Sequence, residues 1–585
     1  MNVSDYIVEY LIGRGVTHGY FLIGGTLGWI SDACYRKGLT LHTMHHEQAA
    51  AFAAEAQAAI TKNIGLAMAT SGPGATNLIT GVASSYFGSY PVLFITGQVN
   101  TSESNISGKR RQVGFQETDI VSLVKPITKY SKKVISPNTI VYDLEKAIFI
   151  ATNKRMGPTL LDIPIDVAKA EINLENIGHF IGSEEYRRLN DKTTISASIL
   201  EKVVAELNNS KRPVILIGHG VKLSRAERNT KKLIEITNIP FVTSLLGTDS
   251  IPSSHPLCFG FIGTYGQRYS NFTLANADLI LVLGARLDTR QIGVQSKMFA
   301  PVARIIHVDI DRTELGESVN EWLSIESDIN DFLIELIPRL HSIKVNKRQE
   351  WTDYLKSLKG KYGKIKQNIE AEQIDPVEAI KLLSEKHKEG DIITVDVGSH
   401  QMWFAQGWIS KYRQYILTNG GMAPMGCALP AAIGASLTRD KCPVLVVTGD
   451  GSLQINIQEF QTVVRNKLPV KIVVFNNNAL GMLTQFQEEN FEGRNVGSTP
   501  AGGYDSPDFV KVAKAYGLAA DSVKIKSDLK RKINWLMRQK GPSLLDISIP
   551  VSYLVLPKSS YNRPVQDMAP FIDRDEYKKA LKYIK

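Results

Sequence analysis

The sequence predicts an α/β protein made of three doubly wound parallel-sheet units, and three observations predict it. Short apolar runs alternate with helix-like stretches along most of the chain, the pattern of strand–helix–strand units. Two stretches that read as linkers, a polar and irregular one at about 168–195 and a lysine-rich, helix-like one at about 342–372, break this alternation into three blocks. A chain of 585 residues is also long enough for three or four domains with ample buried core. The expected units are residues 1–170, 190–342 and 373–555, followed by a tail over 556–585.

In the first block, residues 3–14 carry apolar side chains at helical spacing and stop at Gly13 and Gly15. Gly24-Gly25-Thr26 follows a short apolar run, and Glu47 opens an alanine-rich stretch of strong helix propensity. Residues 64–70 read as a strand feeding the tight turn Ser71-Gly72-Pro73-Gly74-Ala75-Thr76-Asn77, and residues 92–96 as another ending in Gly97-Gln98. The second block opens with the strand Pro213-Val214-Ile215-Leu216-Ile217 and the turn Gly218-His219-Gly220. It continues through residues 279–284 and Ile305-Ile306-His307-Val308-Asp309. The third has a strand at 392–397 and two more that frame its centre. Val444-Leu445-Val446-Val447 leads into Gly449-Asp450-Gly451-Ser452, and Lys471-Ile472-Val473-Val474-Phe475 ends in Asn476-Asn477. The tail after Val555 has little apolar periodicity and is expected to wrap the surface.

Composition narrows the function. A hydrophobic share of 43% with 22% charged residues is ordinary for a globular protein. No secretory signal and no apolar run of membrane-spanning length is apparent, so no membrane partner is expected. Cys34, Cys258, Cys427 and Cys442 lack metal-ligand spacing and read as reduced core thiols, which together with the rest points to the cytoplasm. The net charge of +10 is spread rather than clustered with aromatics, which argues against nucleic acid and for an enzyme of anionic substrates.

The third block carries the chemistry. From Gly451 to the asparagine pair, 24 residues leave room for a helix and a return strand. Two parallel strands so joined place Asp450 and Asn477 side by side at their carboxyl ends, where open α/β sheets bind ligands. One carboxylate, one amide oxygen and a backbone carbonyl suit Mg²⁺, which keeps phosphate oxygens in its remaining positions. Either half alone is as readily an ordinary strand-to-loop turn. Both at this spacing resemble the signature of thiamine-diphosphate enzymes.

Over nearly its whole length the chain resembles the large catalytic subunit of acetolactate synthase. The matching segments include His46-Glu47-Gln48, residues 70–77, Phe94-Ile95-Thr96-Gly97-Gln98-Val99, Phe115-Gln116-Glu117 and Leu161-Asp162-Ile163-Pro164. Downstream come Leu283-Gly284-Ala285-Arg286-Leu287-Asp288, His307-Val308-Asp309-Ile310-Asp311, residues 449–458 and 476–485. The resemblance implies a pyrimidine-binding, a central FAD-type and a diphosphate-binding domain, in a homodimer or dimer of dimers whose active sites are shared between chains. Glu47 would come from one chain and hydrogen-bond the aminopyrimidine, driving its imino tautomer. Asp450, Asn477 and the Ala479 carbonyl of the other would hold Mg²⁺. Pro73, Asn77, Gly398, Ser399, His400, Gln401, Gly421, Ala423, Gly449, Gly451, Ser452, Leu480, Gly481 and Met482 would complete the thiamine-diphosphate site, with Met425 wedging the cofactor into its bent shape. Gly24, Gly25, Phe115 and Gln116 join Glu47 and Met425 in the implied catalytic set.

For the middle block the resemblance implies FAD, contacted by Gly218, His219, Gly220, Gly263, Tyr265, Gly284, Arg286, Asp288, Arg290, Asp309 and Asp311. The alternative is a central domain that keeps the fold and has lost the flavin. Arg290 also matches the arginine that holds the second keto acid's carboxylate, and Met482 fits the same end. Here the chain departs from the family: Ile165 replaces a lysine, Phe486 a tryptophan, Thr289 an aspartate, and Thr264-Tyr265 a Met-His pair.

The expected reaction decarboxylates pyruvate and transfers its two-carbon unit to a second carbonyl compound, the hard chemistry belonging to the cofactor. The altered acceptor end, with the tail Asn562-Arg563-Pro564-Val565-Gln566-Asp567-Met568-Ala569-Pro570, raises a nucleotide-linked keto-deoxysugar in surface-polysaccharide synthesis as an alternative acceptor. A pyruvate decarboxylase is disfavoured because no His-His pair lies around residues 98–105, and an oxidase because no redox centre beyond FAD is indicated. A non-catalytic cofactor-binding homologue is disfavoured by intact Glu47, Asp450 and Asn477. A nicotinamide dehydrogenase lacks the complete Gly-x-Gly-x-x-Gly.

Overall fold

The computed structural model describes residues 1–105, 108–191, 194–342, 348–365 and 367–584. Three six-stranded sheets follow one another along the chain, and every strand pairing within them is parallel. The first holds β1 (His18–Leu22), β2 (Thr40–Thr43), β3 (Gly65–Ala69), β4 (Val92–Gln98), β5 (Tyr130–Lys133) and β6 (Thr159–Pro164), in the order β2-β1-β3-β4-β6-β5. The second holds β7 (Pro213–Ile217), β8 (Phe241–Thr243), β9 (Cys258–Phe261), β10 (Leu279–Leu283), β11 (Arg304–Asp309) and β12 (Leu323–Glu326), in the order β12-β11-β10-β7-β8-β9. The third holds β13 (Ile392–Val395), β14 (Tyr415–Thr418), β15 (Val444–Gly449), β16 (Val470–Asn476), β17 (Ala519–Val523) and β18 (Ser543–Ser548), in the order β14-β13-β15-β16-β18-β17.

These orders locate the crevices. A doubly wound sheet opens at its carboxyl edge where successive connections leave in opposite directions. That point falls between β1 and β3, between β7 and β10, and between β13 and β15. The central strands are apolar on both faces, β4, β7, β10 and β15 being buried throughout, because helices cover both sides of a parallel sheet.

The first and third units share one core. The alanine-rich helix Glu47–Thr61 is buried along most of its length and packs against the helix Ala428–Thr438. Its alanines are dictated by close approach: a Cβ added to Gly434 would lie 2.2 Å from the Ala53 carbonyl oxygen, and one on Gly81 2.1 Å from the Ala51 Cβ. Tyr20 adds a hydroxyl bond to the Gly434 carbonyl at 3.1 Å.

Two expectations need correction. The described part of the 342–372 stretch is no mere linker, for the helix Gln349–Tyr362 places Trp351, Leu355, Leu358 and Tyr362 in the core of the central unit. Residues 343–347 and 366 of that stretch lie outside the described residues. The tail is also more than a surface wrap. It forms a hairpin, Lys558–Ser559 with Met568–Ala569, and a helix, Arg574–Ala580, burying Val565, Met568 and Ala580 against the central unit. Arg268 donates to the Met568 carbonyl at 3.0 Å and to that of Pro570 at 2.6 Å.

Candidate active site

In the third unit the predicted loops all leave the carboxyl edge of one sheet. β13 leads to Gly398-Ser399-His400-Gln401, β14 to residues 419–425, β15 to Asp450-Gly451-Ser452 and β16 to Asn477-Asn478-Ala479-Leu480. β15 and β16 are adjacent and parallel, pairing Gly449 with Phe475, so Asp450 and Asn477 emerge from neighbouring strand ends. The Asp450 carboxylate is buried and accepts from the Ala479 N–H at 3.1 Å. Burial pushes its carboxyl up to about 7. Asn477 Nδ2 and Ser399 Oγ flank Gly481, where an added Cβ would lie 2.8 and 2.9 Å from them. Beside Gly451 stand Leu480, the Tyr504 hydroxyl and Met425 Cε, at 2.5, 3.2 and 3.3 Å from an added Cβ.

His400 fills the crevice between β13 and β15. Its ring lies against both Gly398 and Gly449, and burial drives its imidazole down to about 3, so it serves as a neutral wedge. Ser452 Oγ donates to the Val397 carbonyl at 2.8 Å, and Gln401 Nε2 to that of Asn419 at 2.6 Å. The hinge of this region is Asp396, which the sequence reading passed over although it ends the strand before Val397-Gly398. Its buried carboxylate accepts from the N–H groups of Val397, Gly426 and Ala428 at 2.9, 2.9 and 3.2 Å, and so ties the β13 loop to the Met425 loop. Burial raises its carboxyl to about 6.

The first unit gathers a second cluster at the same edge of its own sheet. Glu47 begins its helix after the N-cap His46, whose ring accepts from the Gln48 N–H. Its side chain is buried, and Oε2 accepts from Asn77 Nδ2 at 2.9 Å. Oε1 looks past Gly74, 3.2 Å from the point where a Cβ would stand. Pro73 starts the short helix carrying Asn77, Gly24 lies against Thr70, and Gly72 against Gln116. Phe115 is 85% exposed.

Where the three units meet lies a cavity of about 790 Å³, the size of a cofactor pocket, with Phe87, Ser89, Arg155 and Met156 of the first unit in its wall. His219, Gly220, Tyr265, Gly284, Arg286, Asp288, Arg290 and Asp309 line it from the central unit; Gly398, Gln401, Gly421, Ala423, Met425 and Met482 line it from the third. Its floor is the β7/β10 switch point, where Gly218 and Gly284 meet so closely that a Cβ on Gly218 would fall 2.0 Å from the Gly284 carbonyl oxygen. Both ring nitrogens of half-buried His219 lack a partner, as do His400 Nε2 and the Tyr504 hydroxyl.

Several residues fall elsewhere. Asp311 does not line the cavity, because its carboxylate is taken by Arg155 at 2.8 Å. Ile165, exposed Phe486, Gly218, Gly263 and the whole Glu47 cluster also lie outside its lining within one chain. So do Ser399, His400, Gly449, Asp450, Gly451, Ser452, Asn477, Ala479, Leu480 and Gly481 on the third unit's loops. Gly263 instead packs behind the wall, against the Arg290 carbonyl.

The donor sets fit the implied groups. Asp450, Asn477 and a backbone carbonyl offer a hard cation oxygen ligands, and the buried carboxyl is costly to ionise without one. Among the described residues no group of three or more His, Cys, Asp and Glu could hold a metal, which leaves this single-carboxylate arrangement. The N–H groups opening the helices Ser399–Gly407 and Gly481–Asn490 suit a diphosphate. The glycine-crossed floor and the unpartnered His219 suit a large polar aromatic ligand in the cavity.

Comparison with known proteins agrees. Residues 1–123, 200–336 and 396–547 match the family descriptions "Thiamine pyrophosphate enzyme" for the N-terminal TPP binding, central and C-terminal TPP binding domains. The chain is 35% identical to the probable acetolactate synthase large subunit of Methanocaldococcus jannaschii, over 94% of this chain and 92% of that one. It is 34% identical to the acetolactate synthase large subunit of Cyanidium caldarium, over 93% of each chain. It is also 34% identical to the isozyme 1 large subunit of Escherichia coli, over 95% of each.

Proposed function

Because the chain belongs to the thiamine-diphosphate enzymes of the acetolactate synthase large-subunit family, we propose that each of its active sites is completed by a second copy. The activity is that of a carboligase, which decarboxylates pyruvate and joins the two-carbon unit to a second carbonyl compound. The observation that carries the reading is the buried Asp450 carboxylate next to Asn477 at adjacent strand ends, beside a cofactor-sized cavity.

Thiamine diphosphate, when bound, supplies the nucleophilic carbon and the electron sink that decarboxylation requires. Asp450, Asn477 and the Ala479 carbonyl hold Mg²⁺, and the Ser399 and Gly481 helix starts receive the diphosphate. Met425 packs against the cofactor from the Asn419 loop. Glu47 keeps one oxygen on Asn77 and has the other free to exchange a proton with the pyrimidine. Arg290, its guanidinium 5.6 Å from the Tyr265 ring centre, faces the acceptor's carboxylate, and Met482 packs opposite. His219 and Arg286 in the cavity wall would hold FAD. The apolar side chains of Met402, Met425 and Met482 in the lining would keep water from the reacting carbon.

Within one chain Glu47 lies outside the cavity's lining, whereas Gly451 beside Asp450 sits against Met425 of that lining, which supports supply of the glutamate by a second copy. Exposed Phe115, Met422, Ile455, Leu483 and Phe486 provide the apolar surface for it. The relatives named above give no support to the keto-deoxysugar acceptor or to a decarboxylase or oxidase. The test is product analysis with labelled pyruvate, thiamine diphosphate, Mg²⁺ and FAD. Acetolactate as the main product is the expected result. Mostly acetaldehyde, or label passing only to an added nucleotide-linked 4-ketosugar, would overturn it.

A further inference from the structure

The acceptor end of the cavity has two walls that belong to different units. Thr264, Tyr265, Arg290 and Gln291 come from the central unit, and Met482 from the helix Gly481–Asn490 of the third. Neither sheet by itself fixes the gap between them. Residues 554–570 touch both.

On the third-unit side, Val555 exchanges hydrogen bonds with Gln485: its N–H donates to Oε1 at 3.0 Å, and its carbonyl accepts from Nε2 at 3.3 Å. Lys558 pairs with Glu489. Gln485 and Glu489 lie on the helix that carries Met482, three and seven residues on, so both share its side of the helix.

On the central side, the Ser559 N–H donates to the Thr264 carbonyl at 2.8 Å. Gln406 Nε2 bridges the carbonyls of Leu556 and Tyr265 at 3.0 and 3.4 Å. Buried Asn271 donates to the carbonyls of Gly263 and Val565, both at 3.0 Å. The connection then reaches Arg290 directly, since its carbonyl accepts from the Thr264 N–H at 2.8 Å. There is no slack: a Cβ on Gly263 would fall 2.4 Å from the Arg290 carbonyl oxygen. Beyond it, Gln295 Nε2 donates to the Asn562 carbonyl at 2.9 Å.

We propose that residues 554–570 act as a positioning strap that sets the distance between the Arg290–Tyr265 wall and the Met482 helix, and thereby selects the acceptor. The proposal rests on the assignment of Arg290 and Met482 to the acceptor end. The strap's named partners include Gln406 and Gln485, on the two helices whose N-termini suit the diphosphate. Thiamine-diphosphate saturation is therefore read beside the product ratio, to separate an effect on the second substrate from one on cofactor loading.

The test uses full-length protein loaded with thiamine diphosphate, Mg²⁺ and FAD, given equal pyruvate and 2-ketobutyrate. The readouts are the ratio of the two acetohydroxy acids, total CO₂ release and the thiamine-diphosphate saturation curve. Ser559→Pro removes the donor to Thr264, and Lys558→Met removes the link to Glu489. Each is expected to shift the product ratio about three- to tenfold, the weight of one polar contact, with CO₂ release and saturation within about twofold of the parent. Lys558→Arg should restore the ratio. If Ser559→Pro does not fold, Lys558→Met and its arginine rescue decide alone. An unchanged ratio, or a proportional fall in all three readouts, overturns the strap. Arg290→Gln separates the two ideas. If it leaves the ratio unchanged, the acceptor assignment itself fails; if it shifts the ratio while the strap variants do not, only the strap fails.

Discussion

Burial pushes the Asp450 carboxyl up to about 7, whereas a divalent cation at its oxygens favours the ionised form. Protons and Mg²⁺ therefore compete for this group. Apparent Mg²⁺ affinity, measured by calorimetry in the presence of thiamine diphosphate, should weaken as pH falls from 8 to 6, approaching about tenfold per unit once the site is protonated. Asp450→Ala should lower both Mg²⁺ and thiamine-diphosphate affinity and abolish that pH dependence; saturation at parent levels would contradict the metal role. Glu47→Gln keeps the side chain's shape and an oxygen for Asn77, and loses the exchangeable proton. It should cut turnover by about two orders of magnitude or more while the diphosphate still binds, as equilibrium dialysis would show.

At the scale of elements, the helix Glu47–Thr61 carries a second carboxylate of consequence. Glu55, one face further along, is buried between this helix and the third unit, accepting from Ser85 at 3.1 Å and from Asn419 at 3.3 Å. Burial raises its carboxyl to about 7, above the value it has in an unfolded chain. The folded state then holds the proton more tightly, so this group's contribution is complete at low pH and is lost as pH rises through about 7. Between pH 6 and 8 the loss is on the order of 1 kcal/mol. Chemical denaturation of Glu55→Gln should show that part of the pH slope removed. Packing on the same helix is equally exacting: Gly434→Val would drive a side chain into the Ala53 carbonyl, and a loss of about 2 kcal/mol or more is expected in the same assay.

Much of this was legible in the chain. Strands ending in glycine turns marked the carboxyl edges, because a parallel strand buried on both faces must be an apolar run and the ligand loop after it must bend sharply. Asp450 and Asn477 could be paired from spacing alone, since one helix and one return strand fix their neighbours. Asp396 and Glu55 were not legible, for each is a lone carboxylate whose meaning lies in partners 30 and more residues away. The Gln349–Tyr362 helix passed for a linker because its lysines advertise its solvent face, while Trp351 and Leu355 are too few to mark a core. The strap escaped because its named links, apart from the Lys558–Glu489 pair, run through its own backbone, which carries no residue pattern.

For the whole molecule, Glu47 lies outside the cavity's lining within one chain, and the proposed second copy would supply it. Glu47→Gln and Asp450→Ala variants, each nearly inactive, should therefore complement when mixed and allowed to exchange subunits. Mixed dimers carry one doubly altered and one intact site, so random pairing restores about a quarter of the parental activity. No recovery after verified exchange would place both residues in one chain's site. No described helix is long and apolar enough to cross a membrane.

The first and third sheets share one wiring order, with the second, first, third and fourth strands side by side and the sixth and fifth beyond. Laid over each other by that order, the loop after β3 with its Thr70 falls on the loop after β15 with its Asp450. The connection after β2, which delivers Glu47, falls on the connection after β14, which delivers Met425. One wiring order thus serves two units, yet Glu47 leaves the first sheet after its second strand and Asp450 the third sheet after its third, so the two carboxylates stand at neighbouring and not equivalent corners of the same blueprint.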